Sequence, residues 1–425
     1  MKLRNITWMH CLILVVALVA GFTANDAFAT NGDNLMSIGP ISRAMGGVGI
    51  AAPQDAISAV FSNPAAMCFG LYCPGSEFNF AGTIFMPKAE TKIQLGPIAG
   101  KASSDSDLFA IPAIGISSPI SQNLRFGIAA YGVSGLGVDY RDKFDLDGNP
   151  ANGDQAVYTN LQIMKFAPSL SYLISPNFSI GGALHINYGA LDLGDGTSAN
   201  FSFGAELGAI YKTGPLSFGA VYITPQKISH DDVANFDAAL GSTTMDNLEL
   251  ESPQTFGFGI AYEPIQNVFL IEADAKWLNW ADADGYQDFG WDDQWVFNIG
   301  AQYKPNPKLA LRMGYNYGEN PVSTHSWDDR NGPVNVQGKS VPATQYEILR
   351  IAGFPAIVEH HLTAGIGYQL NKAVSIDFAY MHAFEETIKE TGTVCFDPAC
   401  SMTGPGSVEA SLYEDSVEFG ITWRF

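Results

Sequence analysis

Charge is scarce in this sequence, and positive charge scarcer still. Charged residues make up 15% of the 425 positions, with 22 Lys and Arg against 43 Asp and Glu; soluble domains average roughly 25% charged. A net charge of −21 offers no basic face to a phosphate backbone and excludes nucleic-acid binding. Beyond residue 22 no apolar run approaches the roughly 20 residues of a membrane-spanning helix. No G-x-S-x-G, H-E-x-x-H or Walker pattern occurs, so no enzyme is expected and no cofactor is implied. Nor is a metal: Asp145 to Asp154 (DLDGNPANGD) has Pro150 where an EF-hand loop needs glycine. His360 and His361 are strand neighbours that face opposite ways.

Cysteine is rare as well, at five. Cys11 lies in a leader: Lys2 and Arg4, an apolar core from Cys11 to Phe22, then the A-x-A site Ala27-Phe28-Ala29. This pattern predicts export with cleavage after Ala29. The other four form two equally spaced pairs, Cys68 with Cys73 and Cys395 with Cys400, read as two local disulfides of an exported chain. A shared zinc site fits worse, because the pairs lie far apart in the chain and the spacing is loose.

What the chain has in quantity is glycine (44 residues), aromatics (12%) and period-2 alternation from about residue 78 to the end. In FSFGAELGAIY, Phe201, Phe203, Ala205, Leu207, Ala209 and Tyr211 share one face, and Ser202, Gly204, Glu206 and Gly208 the other. The final stretch SVEFGITWRF alternates in the same way. Fourteen strands are predicted, near 78–86, 107–118, 123–134, 160–174, 178–190, 199–212, 216–223, 254–263, 268–280, 294–304, 308–318, 360–370, 373–384 and 414–425. The second is the weakest, because Pro112 interrupts it. From there onward the links are alternately tiny and long; the long ones are 135–159, 224–253, 281–293, 319–359 and 385–413.

Short turns on one side and long loops on the other describe an antiparallel transmembrane β-barrel of a bacterial outer membrane. A soluble barrel would bury its oily face and leave the polar one to water. Here the polar faces carry Gly, Ser, Asn and isolated charges such as Glu206, Glu272, Asp274, Lys276, Arg312 and Asp377, which would fill a dry core poorly. Lipid outside and a partly wet interior satisfy both faces, and closure removes unpaired edges. Tyr and Trp near strand ends, Trp277 and Trp280 among them, are read as aromatic girdles. The terminal Phe425 fits a last strand that closes the ring and is recognised by barrel-assembly machinery. Residues 30–77 do not alternate; they are Gly/Ala-rich with a short helix expected at Gln54 to Phe61, and are read as a plug inside a ring wide enough to leak. The division is thus 1–29 leader, 30–77 plug (hatch) and 78–425 barrel.

With SRAMGGVGIAAPQDAISAVFSNPAAM before fourteen strands, and stretches such as LRFGIAAYGVSGLGVDY, LESPQTFGFGIAYEP, KWLNWADADGY and KLALRMGYNYGENPV, the chain resembles the FadL/TodX family of outer-membrane transporters for long-chain fatty acids and other hydrophobic compounds. The resemblance implies a monomer in outer-membrane lipid and lipopolysaccharide that takes up a hydrophobic small molecule passively and releases it sideways through the wall. It assigns Asn63, Pro64 and Ala65 to the hatch motif, and Asn34, Leu35, Met36 and Ile38 to an internal ligand pocket. Gly132, Gly135 and Gly137 become lateral-gap glycines. Extracellular capture falls to Val233, Phe236, Leu240, Met245 and Leu248 of the fourth loop; the third loop, LDLGDGTSAN, is short for that role, and YEILRIAGFPAIV in the 319–359 loop is read as sharing it. Two other functions compete: a general diffusion porin, and an adhesin or phage receptor using the long loops.

Overall fold

A computed structural model describes residues 31–69, 75–144 and 157–425. The expected leader, Cys73 and Asp145 to Asp154 lie outside the described residues. The alternating segments form fourteen ring strands: β1 (Glu77–Leu95), β2 (Phe109–Pro119), β3 (Leu124–Asp139), β4 (Tyr158–Ser175), β5 (Phe178–Asp192), β6 (Thr197–Thr213), β7 (Leu216–Ile223), β8 (Thr255–Ile265), β9 (Phe269–Leu278), β10 (Gln294–Asn306), β11 (Leu309–Gly318), β12 (His360–Gln369), β13 (Val374–Cys395) and β14 (Thr403–Arg424). Each pairs antiparallel with its sequence neighbours, and β14 returns to β1 in a ladder from Glu77↔Arg424 to Leu95↔Gly406. All fourteen predicted strands are present, and the ring is closed.

The faces are inverted relative to a water-soluble sheet. Phe203 is 68% exposed, and Leu207, Phe258, Leu362 and Trp423 also point outward, whereas Glu206, Glu272, Asn316 and Glu418 are buried inside. Backbone closure together with an apolar exterior is what hydrocarbon demands. One aromatic belongs elsewhere: Trp280, read as a girdle residue, is fully buried in the outer loops.

Three strands, β1, β13 and β14, outrun their predicted ends the furthest. The 385–413 segment, expected as a loop, is mostly a tall hairpin of β13 and β14, and β1 runs beside it. Here the outer face meets water and carries charge, with Glu409 taking Lys92 at 2.6 Å and Lys389 at 3.0 Å, while the inner face, including Ile388, Val408 and Leu412, is buried. At the hairpin tip Cys395 and Cys400 are disulfide-bonded, with Cα atoms 4.9 Å apart.

The N-terminal segment packs against the inward face of the ring. It contains two short helices, α1 (Pro40–Arg43) and α2 (Ala56–Ser62), and a 3₁₀ turn, Pro64–Cys68. Asp55 caps α2 by accepting from the Ser58 amide at 2.7 Å; Asn63 caps the 3₁₀ turn by accepting from the Ala65 amide at 3.1 Å. Pro64 then occupies the first turn, where its missing N–H costs nothing. The wall receives the segment's amides with carboxylates. Glu272 accepts from Ala51 and Ala52 at 2.7 and 2.8 Å, Asp274 from Gly49 and Ile50 at 2.8 and 3.1 Å, and Glu77 from Ala56 at 2.8 Å. These inward charges satisfy irregular backbone that lipid could not.

Candidate functional site

Among the described residues the ring has one break. The β1–β2 ladder extends from Glu77↔Ser117 to Phe85↔Phe109, but the β2–β3 ladder stops at Ala113↔Tyr131. The next residue of β2 is Pro112, which has no N–H to donate. On the other side β3 keeps its pairing to β4 as far as Asp139↔Tyr158, slipping by one residue between Gly132 and Ser134. That slip is a β-bulge, which bends a strand and leaves one residue unpaired. The two causes, a proline and a bulge, face each other across the wall.

The N-terminal segment meets the bulge from inside. Leu35 donates its amide to the Val133 carbonyl at 3.0 Å, Asn34 makes an isolated bridge with Ser134, and the Ser134 hydroxyl donates to Asp33 at 2.8 Å. Backbone groups released from the sheet are thus paired with the segment.

A cavity of about 300 Å³ occupies the break. Its walls come from β1, β2, β3, β4 and β14, with Leu35 as the inner side and Pro355 above. Phe85, Phe109, Ile111, Leu161, Ile163 and Met164 make it apolar. Leu35 also lines a second, smaller cavity of about 90 Å³ deeper in the lumen, beside Lys165, His185 and Glu206. One leucine side chain therefore stands between the two spaces.

The outer loops close the top of the barrel. Residues 348–353 form a π-helical turn on which Arg350 is fully buried. Its guanidinium meets Glu347 at 3.0 Å and also Glu390, and lies 3.2 Å from His325 Nδ1. His325, Glu347 and Glu390 present ligand-type atoms within 4.8 Å of one another, but Arg350 already supplies the cation. Burial, then the hydrogen bond with Glu390, raises the Glu347 carboxyl to about 8. Next to this lock, Trp280, Tyr286 and Trp291 form a cluster with ring centroids 4.6 to 4.9 Å apart, and Tyr286 donates its hydroxyl to Asp33.

A family model for outer membrane transport proteins (OMPP1/FadL/TodX) matches residues 16–201 and 195–330. The chain belongs to the OMPP1/FadL/TodX family. It is therefore an outer-membrane transport protein and not an enzyme. Solved structures share the fold. The toluene transporter TodX of P. putida is 18% identical, covers 92% of this chain and 99% of its own, and superposes with a TM-score of 0.63. A FadL homologue of Pseudomonas aeruginosa is 15% identical, with 94% and 99% coverage and a TM-score of 0.64. The monoaromatic hydrocarbon channel CymD gives 15%, 92%, 98% and 0.59. No curated protein matches the chain.

Gly132, Gly135 and Gly137, singled out from the sequence of this family member, all line the cavity at the break. Leu35 lines both cavities and Asn34 the inner one, while Met36 and Ile38 are buried in the core and line neither. Asn63 donates to the Ile50 carbonyl at 2.8 Å, and the Ala65 carbonyl accepts from Ser171 and Ser179 at 3.0 and 2.8 Å. Pro64 and Ala65 are buried beside Gly181. Cys68 is half-buried at the end of the 3₁₀ turn.

The fourth-loop residues do not form an open groove. Gln226–Ala234 and Asp246–Ser252 pair as a hairpin that buries Val233, Phe236 and Leu248; only Leu240 and Met245 stay exposed. Apolar side chains at alternate hairpin positions pack inward, which composition alone does not reveal. Ile351, Ala352, Ala356, Ile357 and Val358 of the 319–359 loop are likewise buried. The aromatic cluster on Asp33 and the part played by Pro112 were missed. Their signals were the Trp and Tyr density of KWLNWADADGYQDFGW and the same proline that weakened the second strand.

Proposed function

We propose that this protein takes up small hydrophobic molecules passively and releases them sideways, through the break between β2 and β3, into the outer membrane. The observation that carries this reading is the coincidence at one place of an interrupted ladder, an apolar cavity and a leucine of the N-terminal segment. In this reading residues 30–77 act as a hatch, and a shift at Leu35 joins the inner cavity to the gap. An apolar solute gains roughly 0.8 kcal/mol per CH₂ on leaving water, so lipid is its natural exit. TodX and CymD, both of the same fold, are named for toluene and monoaromatic hydrocarbons.

The test is uptake of radiolabelled toluene by cells carrying the protein or a vector. Gly135→Trp places an indole in the cavity, at a position whose nearest atom to an added Cβ is 3.5 Å away. Uptake should fall to the vector level while the amount of folded barrel is unchanged. Full uptake through Gly135→Trp would remove the lateral route. A diffusion porin instead predicts a steady large conductance in planar bilayers, which a lumen packed with residues 31–69 opposes.

A further inference from the structure

The cavity at the break is not uniformly oily. Glu414, from the inward face of β14, lines it. The side chain is 3% exposed, and its Oε2 has no hydrogen-bond partner among the described residues. Its neighbours across the two ladders are Pro87, which has no N–H, and Ala383, which has no polar side chain. Arg43, the cation on the same side of the lumen, is committed elsewhere: Nε to Glu418 at 2.7 Å, and its other nitrogens to Ser416 at 3.3 Å and the Ser37 carbonyl at 3.0 Å. Among the described residues no lysine, arginine or histidine lines the cavity.

A buried carboxyl with an open acceptor is an expensive feature to retain unless something fills it. We infer that Glu414 is a specificity residue, selecting uncharged aromatic or short aliphatic molecules that carry one hydrogen-bond donor, such as phenols and alcohols, and turning away carboxylates. The size agrees. A cavity near 150 Å³ holds benzene, so about 300 Å³ takes a substituted ring. The charge argument holds in either protonation state: an ionised Glu414 repels a carboxylate, and a neutral one gives it no countercharge. In this reading a phenol hydroxyl meets Glu414 while its ring stays against Phe109, Ile111 and Met164 of the same cavity.

This inference rests on the proposed lateral uptake and sharpens its substrate class. Cells expressing the full chain are given labelled p-cresol, toluene or octanoate, and the readout is the ratio of initial rates. The p-cresol to toluene ratio should fall about tenfold in Glu414→Leu, the worth of one well-made hydrogen bond. It should remain largely intact in Glu414→Gln, which keeps an acceptor of the same shape. Glu414→Lys should raise octanoate relative to toluene. Unchanged ratios in Glu414→Leu and Glu414→Lys would overturn the inference while leaving lateral uptake standing, provided Gly135→Trp still blocks toluene. Wild-type uptake no greater than the vector's, for every probe, would overturn both.

Discussion

Arg43, on the N-terminal segment, donates from Nε to Glu418 on the last strand at 2.7 Å, across 375 residues of chain, and both side chains are buried. Glu418 also accepts from the Gly39 amide at 3.1 Å. The pair ties the segment to the seam where the ring closes.

Removing one partner leaves the other as a buried unpaired charge, which costs about 3–5 kcal/mol. Arg43→Ala should therefore loosen the segment rather than unfold the ring, whose ladders do not involve Arg43. Single-channel recordings should show a larger, noisier conductance, and limited proteolysis should nick residues near 43. The double variant Arg43→Met, Glu418→Leu should recover much of the wild-type behaviour, because apolar groups of similar volume replace a buried pair at little cost. A quiet, low conductance in Arg43→Ala would mean that the pair does not hold the segment.

Close approach of the segment to the wall depends on glycine. Gly46 has φ +72°, and a Cβ there would lie 2.6 Å from the Tyr315 amide nitrogen. Opposite it, a side chain on Gly314 would run into the Gly46 amide and Met45. Gly314→Val should push the segment off the wall without harming the strand, since valine suits a β-ladder. Conductance should rise as in Arg43→Ala, with folded barrel still recovered from the membrane. A conductance equal to wild type would contradict the contact.

The ring was legible because every membrane strand repeats one pattern, as Val417, Phe419, Ile421, Trp423 and Phe425 do. Above the lipid that pattern inverts, with Val408, Ala410 and Leu412 turned inward and buried. Lys92, Lys389 and Glu409 face water on a continuing sheet, so the hairpin read as loop. Fourth-loop apolar residues were visible, but not the face they would occupy. The cavity was half legible: Gly132, Gly135 and Gly137, named from the sequence, line it, whereas Pro112 was counted against its strand when it marks where the ladder ends. Glu414 could not be singled out, because an inward carboxylate paired to the segment and one facing a cavity look alike in sequence.

The outer lock should respond to alkali. Glu347 is raised from an ordinary value near 4.5 to about 8, chiefly by burial. Between those values the closed cap holds a proton that the opened cap releases, so the closed form loses stability as pH rises, fully so above about 8. Hydrogen-exchange protection factors for amides 347–358 should fall between about pH 5 and 8. Glu347→Gln, neutral at every pH, should flatten the profile. A wild-type profile that is already flat would argue against the lock.

The aromatic cluster and the wall gap are linked through two consecutive residues. Gly32 has φ +66°, and a Cβ there would fall 2.7 Å from Trp280 Cζ2 and 2.9 Å from Trp291 Cζ3. The next residue, Asp33, takes the Tyr286 and Ser134 hydroxyls; two residues later Leu35 pairs with the bulge. Gly32→Ala is thus opposed twice, by a left-handed backbone and by two indoles that cannot both retreat from a packed cluster. The outcome should reach the gap: Leu35 loses its registration, the two cavities merge, and toluene uptake becomes faster or less selective. Buried Trp280 and Trp291 should report the loosening as a red shift in fluorescence. Gly214→Ala, also at positive φ but with nothing within 4 Å of an added Cβ, carries the backbone strain alone and should leave both readouts at wild type. Equal effects from the two substitutions would reduce the coupling to generic strain; a red shift with unchanged uptake would separate the cluster from the gap.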